Sequence, residues 1–452
     1  MSLEFLENQK IEGLLKKYCK FLPIEIVFGT KSEWVPNGEK DEKGNEKEEE
    51  IQVENIINNP VPLWVKKPVD LKDEDYKAFY RELYPMQFEE PLFHIHLNVD
   101  FPFNLTGILY FPKLGSDLQI QKDKIQLYQN QVFVTDNVEG IVPEFLLMLK
   151  GVVDSPDIPL NVSRSGLQAD SNVKKISNYI TRKVADKLKS LFTENREDFE
   201  AKWSDIKIVL EYGMLSEPKF YEKSGDFVLY PTTENKYYTL AELKEATKDV
   251  QTDKDGKLVV LYASNKETQH SYIDIATSKG YQVLLLDSPI VSHLIQKLEA
   301  DNENLTFARV DADHIDKLIN KEEVQISKLS DAEMETLKTS LETVIPKAYS
   351  VQLESLDSEA TPFIITQPEF MRRMKEMSQS GGGGMFGMSN MPEMYNLVVN
   401  ANSELASSIL KADESAQKEL VKNALDLAKL SQGLLKGEEL TAFVKRSFDT
   451  LK

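Results

Sequence analysis

Apolar positions recur along this chain in two rhythms, a period of two in short runs and a period near 3.6 in longer ones. The second rhythm predicts a helix over Phe5–Tyr18, with Phe5, Leu14 and Leu15 on or near one face. Pro23–Phe28 reads as a short strand, and Leu92–Val99, Gly107–Phe111 and Gln131–Thr135 read as three more. Gly140–Leu149 is read as a short helix. Val173, Ile176, Ile180, Val184, Leu188 and Leu191 line one side of a long helix over Val173–Phe192. Residues 1–204 thus form a mixed α/β part.

A helical connector over Asp205–Glu217 leads into a second pattern. The continuous apolar run Lys257–Tyr262 predicts a buried strand, followed by a helix at Gln269–Ser278 and a strand at Tyr281–Leu286. A helix from Pro289 and a strand at Phe307–Val310 complete it. Strands alternating with helices indicate a small parallel α/β module within 205–321. It carries no glycine fingerprint for a nucleotide, which favours a structural role. Residues 322–452 read as mainly helical, through Ser330–Leu341, Leu397–Leu410, Ser415–Leu430 and Gly437–Phe448, with a strand candidate at Val351–Leu356.

Composition narrows the class. The 452 residues, 41% hydrophobic and 28% charged, are those of a soluble globular chain of about three domains. A net charge of −20 argues against broad binding of nucleic acid or anionic membranes. No apolar run approaches the roughly 20 residues that span a bilayer. One cysteine, Cys19, and no apolar signal core fit a reducing cytoplasm. Residues 39–50 hold seven acidic and three basic side chains and no apolar one, the composition of a solvated hairpin tip or loop. The early amphipathic pattern suggests continuation from an upstream segment.

Four features carry candidate chemistry. Arg164 stands in the polar loop Ile158–Gln168, one turn before Gln168. A guanidinium can clamp developing charge on a phosphate, or equally pair with a local carboxylate and hold the loop's shape. Residues 370–395 contain seven of the 12 methionines, interrupted by Gly381–Gly384. Phe370, Met371, Met374 and Met377 have helical spacing, and Met385, Phe386 and Met388 follow the glycines. Thioethers suit adaptable binding surfaces, though a helix packed in its own domain would show the same spacing. Trp64, among Pro60, Pro62 and Pro68, is either a contact residue or a structural one. Leu425, Leu430, Leu434, Leu440, Phe443, Val444 and Phe448 make the last helices too apolar to stand alone, which suggests pairing with a second copy. His94 and His96 alternate on a strand, but two histidines make a poor metal site.

The ordered segments Pro62-Leu63-Trp64, Gly107–Tyr110, Ile125–Tyr128, Val132–Asp136, Ile141–Phe145, Gly151–Ser155 and the Arg164 loop resemble the Hsp90 chaperones. The bacterial, high-temperature protein G type fits best. The likeness implies an Hsp90 middle domain, a small parallel α/β module, and a mainly helical C-terminal dimerisation domain. It also implies that Arg164 and Gln168 form a catalytic loop whose arginine reaches the γ-phosphate of ATP held by an N-terminal domain. Where the family commonly has glutamate, this chain has Ser165, so no carboxylate neighbours Arg164 there. The resemblance further implies a client-contacting helix in the methionine-rich stretch, a homodimer through the last helices, and ATP and Mg bound elsewhere in the full-length protein. No Gly-x-x-x-x-Gly-Lys cradle occurs, so these residues alone are expected to bind ATP weakly or not at all. The chain stops soon after Phe448 without the acidic pentapeptide of eukaryotic cytosolic relatives, as expected of a bacterial member. The expected role is part of an ATP-dependent stress-response chaperone; an ATP-independent dimeric holdase or scaffold is the alternative.

Overall fold

The computed structural model describes residues 7–40, 46–113, 124–158, 171–321, 325–380 and 394–449. It divides into two compact units, 1–227 and 228–452.

In the first unit, helix α1 (Asn8–Tyr18) leads to a two-stranded antiparallel ribbon, β1 (Val27–Lys40) with β2 (Glu46–Ile56). The acidic run predicted as a tip or loop enters both strands of this ribbon. Trp34 in it remains 64% exposed. Helix α2 (Asp73–Leu83) begins with Asp73, Glu74 and Asp75, negative charge where the helix dipole favours it. Its Tyr76, Phe79, Tyr80 and Leu83 are buried at helical spacing. They cover a five-stranded sheet of β3 (Phe93–Val99), β4 (Leu105–Phe111), β5 (Ile125–Gln129), β6 (Val132–Thr135) and β7 (Lys150–Asp154), in the order β3-β4-β7-β5-β6. Only β5 and β7 pair in parallel. Gly151 faces Leu109 in the register at φ 135°, and a Cβ there would lie 2.0 Å from the Ile108 carbonyl oxygen. Only glycine permits that approach.

The helix expected at Gly140–Leu149 is absent. Ile141, Val142, Phe145, Leu146 and Leu149 are buried as expected, but in turns around one 3-10 turn, Glu144–Leu146. Pro143, with fixed φ and no backbone donor, enters that turn rather than a longer helix. The long helix is present as α3 (Ser171–Glu194), followed by α4 (Arg196–Ala201), α5 (Trp203–Ser216) and α6 (Pro218–Ser224).

The second unit opens with the short strands β8 (Tyr230–Pro231) and β9 (Tyr237–Tyr238) and helix α7 (Leu240–Gln251), whose Thr239 and Glu242 form a capping box. The parallel module follows as β10 (Leu258–Ala263), α8 (His270–Ser278), β11 (Val283–Leu285), α9 (Val291–Ala300), β12 (Leu305–Arg309) and α10 (Ile315–Leu318), with sheet order β11-β10-β12. Every residue of β10 is buried, as a central parallel strand requires. Beyond it come α11 (Asp331–Val344), β13 (Tyr349–Glu354), β14 (Phe363–Thr366), α12 (Glu369–Ser380), β15 (Tyr395–Asn400), α13 (Glu404–Lys411), α14 (Glu414–Ser431) and α15 (Gly437–Asp449).

Here the helix expected over Leu397–Leu410 splits. Leu397, Val398 and Val399 belong to the central strand of a sheet ordered β13-β15-β14, and the helix starts only after the Ser403 cap. A short apolar run fits a buried strand as well as a helix, and pairing on both sides decides it.

Candidate functional site

The loop carrying Arg164 and Gln168 lies outside the described residues, but its entry and exit do not. The buried strand β7 delivers Asp154 and Ser155, and the Ser155 hydroxyl donates to the Asn104 carbonyl at 2.5 Å. Asp157 accepts from the Asn104 amide at 2.6 Å, and Gln129 donates to the Pro156 carbonyl at 3.1 Å. Ile158 is buried, and the chain resumes at Ser171 in α3. The segment that precedes the loop is therefore tied to the sheet.

Trp64 is no surface residue. It is fully buried in a ring cluster with Phe21, Phe79 and Tyr128, at centroid distances of 4.7, 5.7 and 5.2 Å. Its indole N–H donates to Asp154 Oδ2 at 3.2 Å, and the Gln131 amide donates to the same oxygen at 2.9 Å. That burial removes Trp64 from the candidate client contacts. His94 and His96 do face one side, but they face Tyr76. His94 stacks on its ring at 3.6 Å, and His96 Nδ1 is hydrogen-bonded to its hydroxyl at 2.9 Å. Burial pushes His94 down to about 4, helped by the Lys187 ammonium, and pushes His96 down as well. Among the described residues no group of three or more His, Cys, Asp or Glu side chains converges to hold a metal.

The methionine-rich stretch contributes α12, whose apolar stripe is in part exposed and whose opposite, charged face is in part buried. Phe370 is 70% and Met371 40% exposed, with Met374 and Met377 half-buried along the same stripe. Met385, Phe386 and Met388 lie outside the described residues. Glu369, Arg372, Arg373 and Glu376, at i, i+3, i+4 and i+7, form the other face and bond to the parallel module. Glu369 Oε1 accepts from the Tyr262 hydroxyl at 2.9 Å, from Arg372 at 2.5 Å and from Arg373 at 2.6 Å. Arg373 also donates to Glu299 Oε2 at 2.8 Å and to the Phe307 carbonyl at 2.6 Å. Arg372 donates to Glu376 at 2.6 Å and to the Tyr262 hydroxyl at 2.5 Å, and the Ser292 hydroxyl donates to Glu376 at 2.5 Å. Burial alone would push the Glu369 carboxyl up; the guanidiniums of Arg372 and Arg373 outweigh it and hold the group below its usual range.

None of these charged residues stood out in the sequence. A Glu-x-x-Arg-Arg-x-x-Glu face reads as solvated until its partners on β10, α9 and β12 are known.

At the C-terminal end, Leu430, Val444 and Phe448 are 42%, 42% and 63% exposed, and Leu434, Leu440 and Phe443 are half-buried. Leu425 is not available to a partner: it is 6% exposed inside the core of its own unit, with Leu337, Leu341 and Val421. Leu427, which the sequence reading passed over, is 56% exposed instead. Lys429–Glu439 at 2.5 Å and Arg446–Asp426 pin α15 to α14, and no residue of α15 is buried. No helix among the described residues is long and apolar enough to cross a membrane.

The chain is similar to named proteins over most of its length. A relative described as chaperone protein HtpG in Bacteroides thetaiotaomicron is 52% identical over 417 residues, 91% of this chain and 60% of that protein. A second HtpG, from Porphyromonas gingivalis, is 51% identical over 440 residues, 96% of this chain and 62% of its own length. The HtpG of Idiomarina loihiensis is 29% identical over 444 residues, 95% of this chain and 67% of its own. The chain thus spans about three-fifths of the length of the first two. The family model described as Hsp90 protein matches residues 30–451, through both compact units. A match that runs unbroken from the ribbon to the last helix makes this chain a member of the Hsp90 family.

Proposed function

We propose that this chain is the middle and C-terminal portion of a cytoplasmic, ATP-dependent molecular chaperone that works as a homodimer. Its functional parts are 1–204 and 205–321 in the middle domain and 322–452 for dimerisation. The reading is carried by α12, where Phe370 and Met371 face water while Arg372 on the opposite face is buried and Glu369, Arg373 and Glu376 are half-buried. An exposed thioether and aromatic stripe is a surface for irregular apolar segments of non-native proteins. Phe370, Met371, Met374 and Met377 form that surface, and Met385, Phe386 and Met388, which follow in sequence, are assigned the same client-binding role. Leu427, Leu430, Leu434, Leu440, Phe443, Val444 and Phe448 form the dimer surface.

ATP and Mg would be held by an N-terminal domain of the same protein. The part assigned to this chain is electrostatic: Arg164, with Gln168 four residues further along the sequence, stabilises charge on the reacting phosphates. The test is ATP turnover after joining a bacterial Hsp90 N-terminal domain to this chain, with Arg164 intact or changed to alanine. A loss of at least about tenfold, or roughly 1.4 kcal/mol of transition-state stabilisation, is expected. Robust turnover indifferent to Arg164 would sink its catalytic role and leave the chaperone-scaffold reading standing.

A further inference from the structure

We infer that Arg372 and Arg373 are positioning residues: they fasten α12 to α9, β10 and β12 of the parallel module and so turn its methionine face outward. Only the consequence for clients rests on the proposed function; the fastening itself is a matter of geometry. An amphipathic helix left to the hydrophobic effect would bury Phe370 and Met371 and leave its charges in water. Here Phe370 is 70% exposed and Arg372 5% exposed. Something must outweigh that preference, and the network under the helix is placed to do so.

Arg373 bridges Glu369 on its own helix to Glu299 on α9 and the Phe307 carbonyl on β12. Glu299 is itself held, because its Oε1 accepts from the Phe307 amide at 2.7 Å. Arg372 ties Glu369 and Glu376 to Tyr262 on β10. Arg309, at the end of β12, closes the set. Its amide donates to Glu369 at 3.3 Å, its guanidinium lies 3.6 Å from Glu376, and it also pairs with Asp311 and Gln367. Three elements of the module therefore grip one face of the helix. Charged hydrogen bonds are directional, and guanidinium forks more than most. Such a grip fixes the rotation of the helix about its axis, which apolar contact alone would leave loose. Buried ion pairs are weak grounds for stability but good grounds for fixing one arrangement, and losing one partner strands the other without compensation.

The test uses the full chain and four variants: Arg373→Gln, Glu299→Gln, the double variant Glu299→Gln/Arg373→Gln, and Phe370→Ser/Met371→Ser. Hydrogen exchange is followed in residues 369–380 and in β10 and β12. Binding of reduced, carboxymethylated α-lactalbumin, a permanently unfolded probe, is measured alongside. Arg373→Gln is expected to speed exchange at least tenfold in 369–380 with β10 and β12 unchanged. Glu299→Gln should do the same more weakly. In the double variant neither charge of the Glu299–Arg373 pair is stranded, though Glu369 still lacks one guanidinium, so its effect should be smaller than the product of the two single effects, a coupling that a merely local loss of helix propensity would not show. Probe affinity should fall in step with the faster exchange. Unchanged exchange in Arg373→Gln, or a double variant whose effect is the full product of the two single effects, overturns the inference. The expected exchange pattern with affinity indifferent to Phe370→Ser/Met371→Ser upholds the fastening and sinks the client reading instead.

Discussion

Around Trp64, aromatic rings close over a single carboxylate; beneath α12, charged side chains close over one another while Phe370 and Met371 meet water. Both places bury acidic groups, and in both each acid finds donors: the Trp64 indole and Gln131 amide for Asp154, a hydroxyl and two guanidiniums for Glu369. The difference lies in what the burial does. In the first unit the polar group anchors an apolar core. In the second, polar groups are themselves the packed interface, which frees an apolar face for other use. Residue type does not decide which side of an element faces inward; the available partners do.

This contrast can be broken most strongly at Trp64. Trp64→Ala should cost about 3–5 kcal/mol and lower the melting temperature of the first unit by about 10 °C in calorimetry. A drop of only a degree or two would mean that the ring cluster is not the core it is described to be. Acid should act next. His94 sits at about 4 when folded and near 6.5 when unfolded, so between those values the unfolded chain takes up a proton that the folded chain refuses. Stability is then fully present above about pH 6.5 and falls as pH drops toward 4, by about 1–2 kcal/mol at pH 5. His94→Gln should flatten that slope in melts run from pH 7.5 to 5; an unchanged slope would clear the histidine of the effect. Asp154→Asn keeps an acceptor for the indole and should cost about 1 kcal/mol, seen as a small shift in urea midpoint. Phe370→Ser/Met371→Ser should be smallest, within about 0.5 kcal/mol, because the face is already in water. A large loss of stability there would show that the stripe serves folding.

The elements whose apolar rhythm is long and one-sided were readable without the structure. Val173, Ile176, Ile180, Val184 and Leu188 are all buried along α3, and the buried run of β10 sits at the centre of its parallel sheet. The errors came where one rhythm has two outcomes. Leu397–Val399 became a strand because β13 and β14 flank it, and the stretch around Pro143 became turns. Strand β14 is not legible in sequence because its apolar run, Phe363, Ile364 and Ile365, is too short to stand out. For the site, the methionine stripe was visible as composition. The Arg372–Arg373 grip was not, since its partners come from residues 262, 292, 299 and 309 and meet only in the folded unit. Trp64, open in sequence between a contact and a structural role, takes the structural one, and Leu425 turns inward for the same reason: a large apolar residue looks alike in sequence whether it faces a partner or its own core.

One apolar cluster joins Val259, Leu261 and Val283 of the parallel module to Leu356, Ile364 and Val398 from beyond residue 321. A gene cut at that point would leave raw hydrocarbon on both halves. Recombination between relatives that exchanged the parallel module alone would have to bring matching residues at 356, 364 and 398 with it. The two segments are in that sense inherited as one piece, although a reader of the chain would draw a line between them.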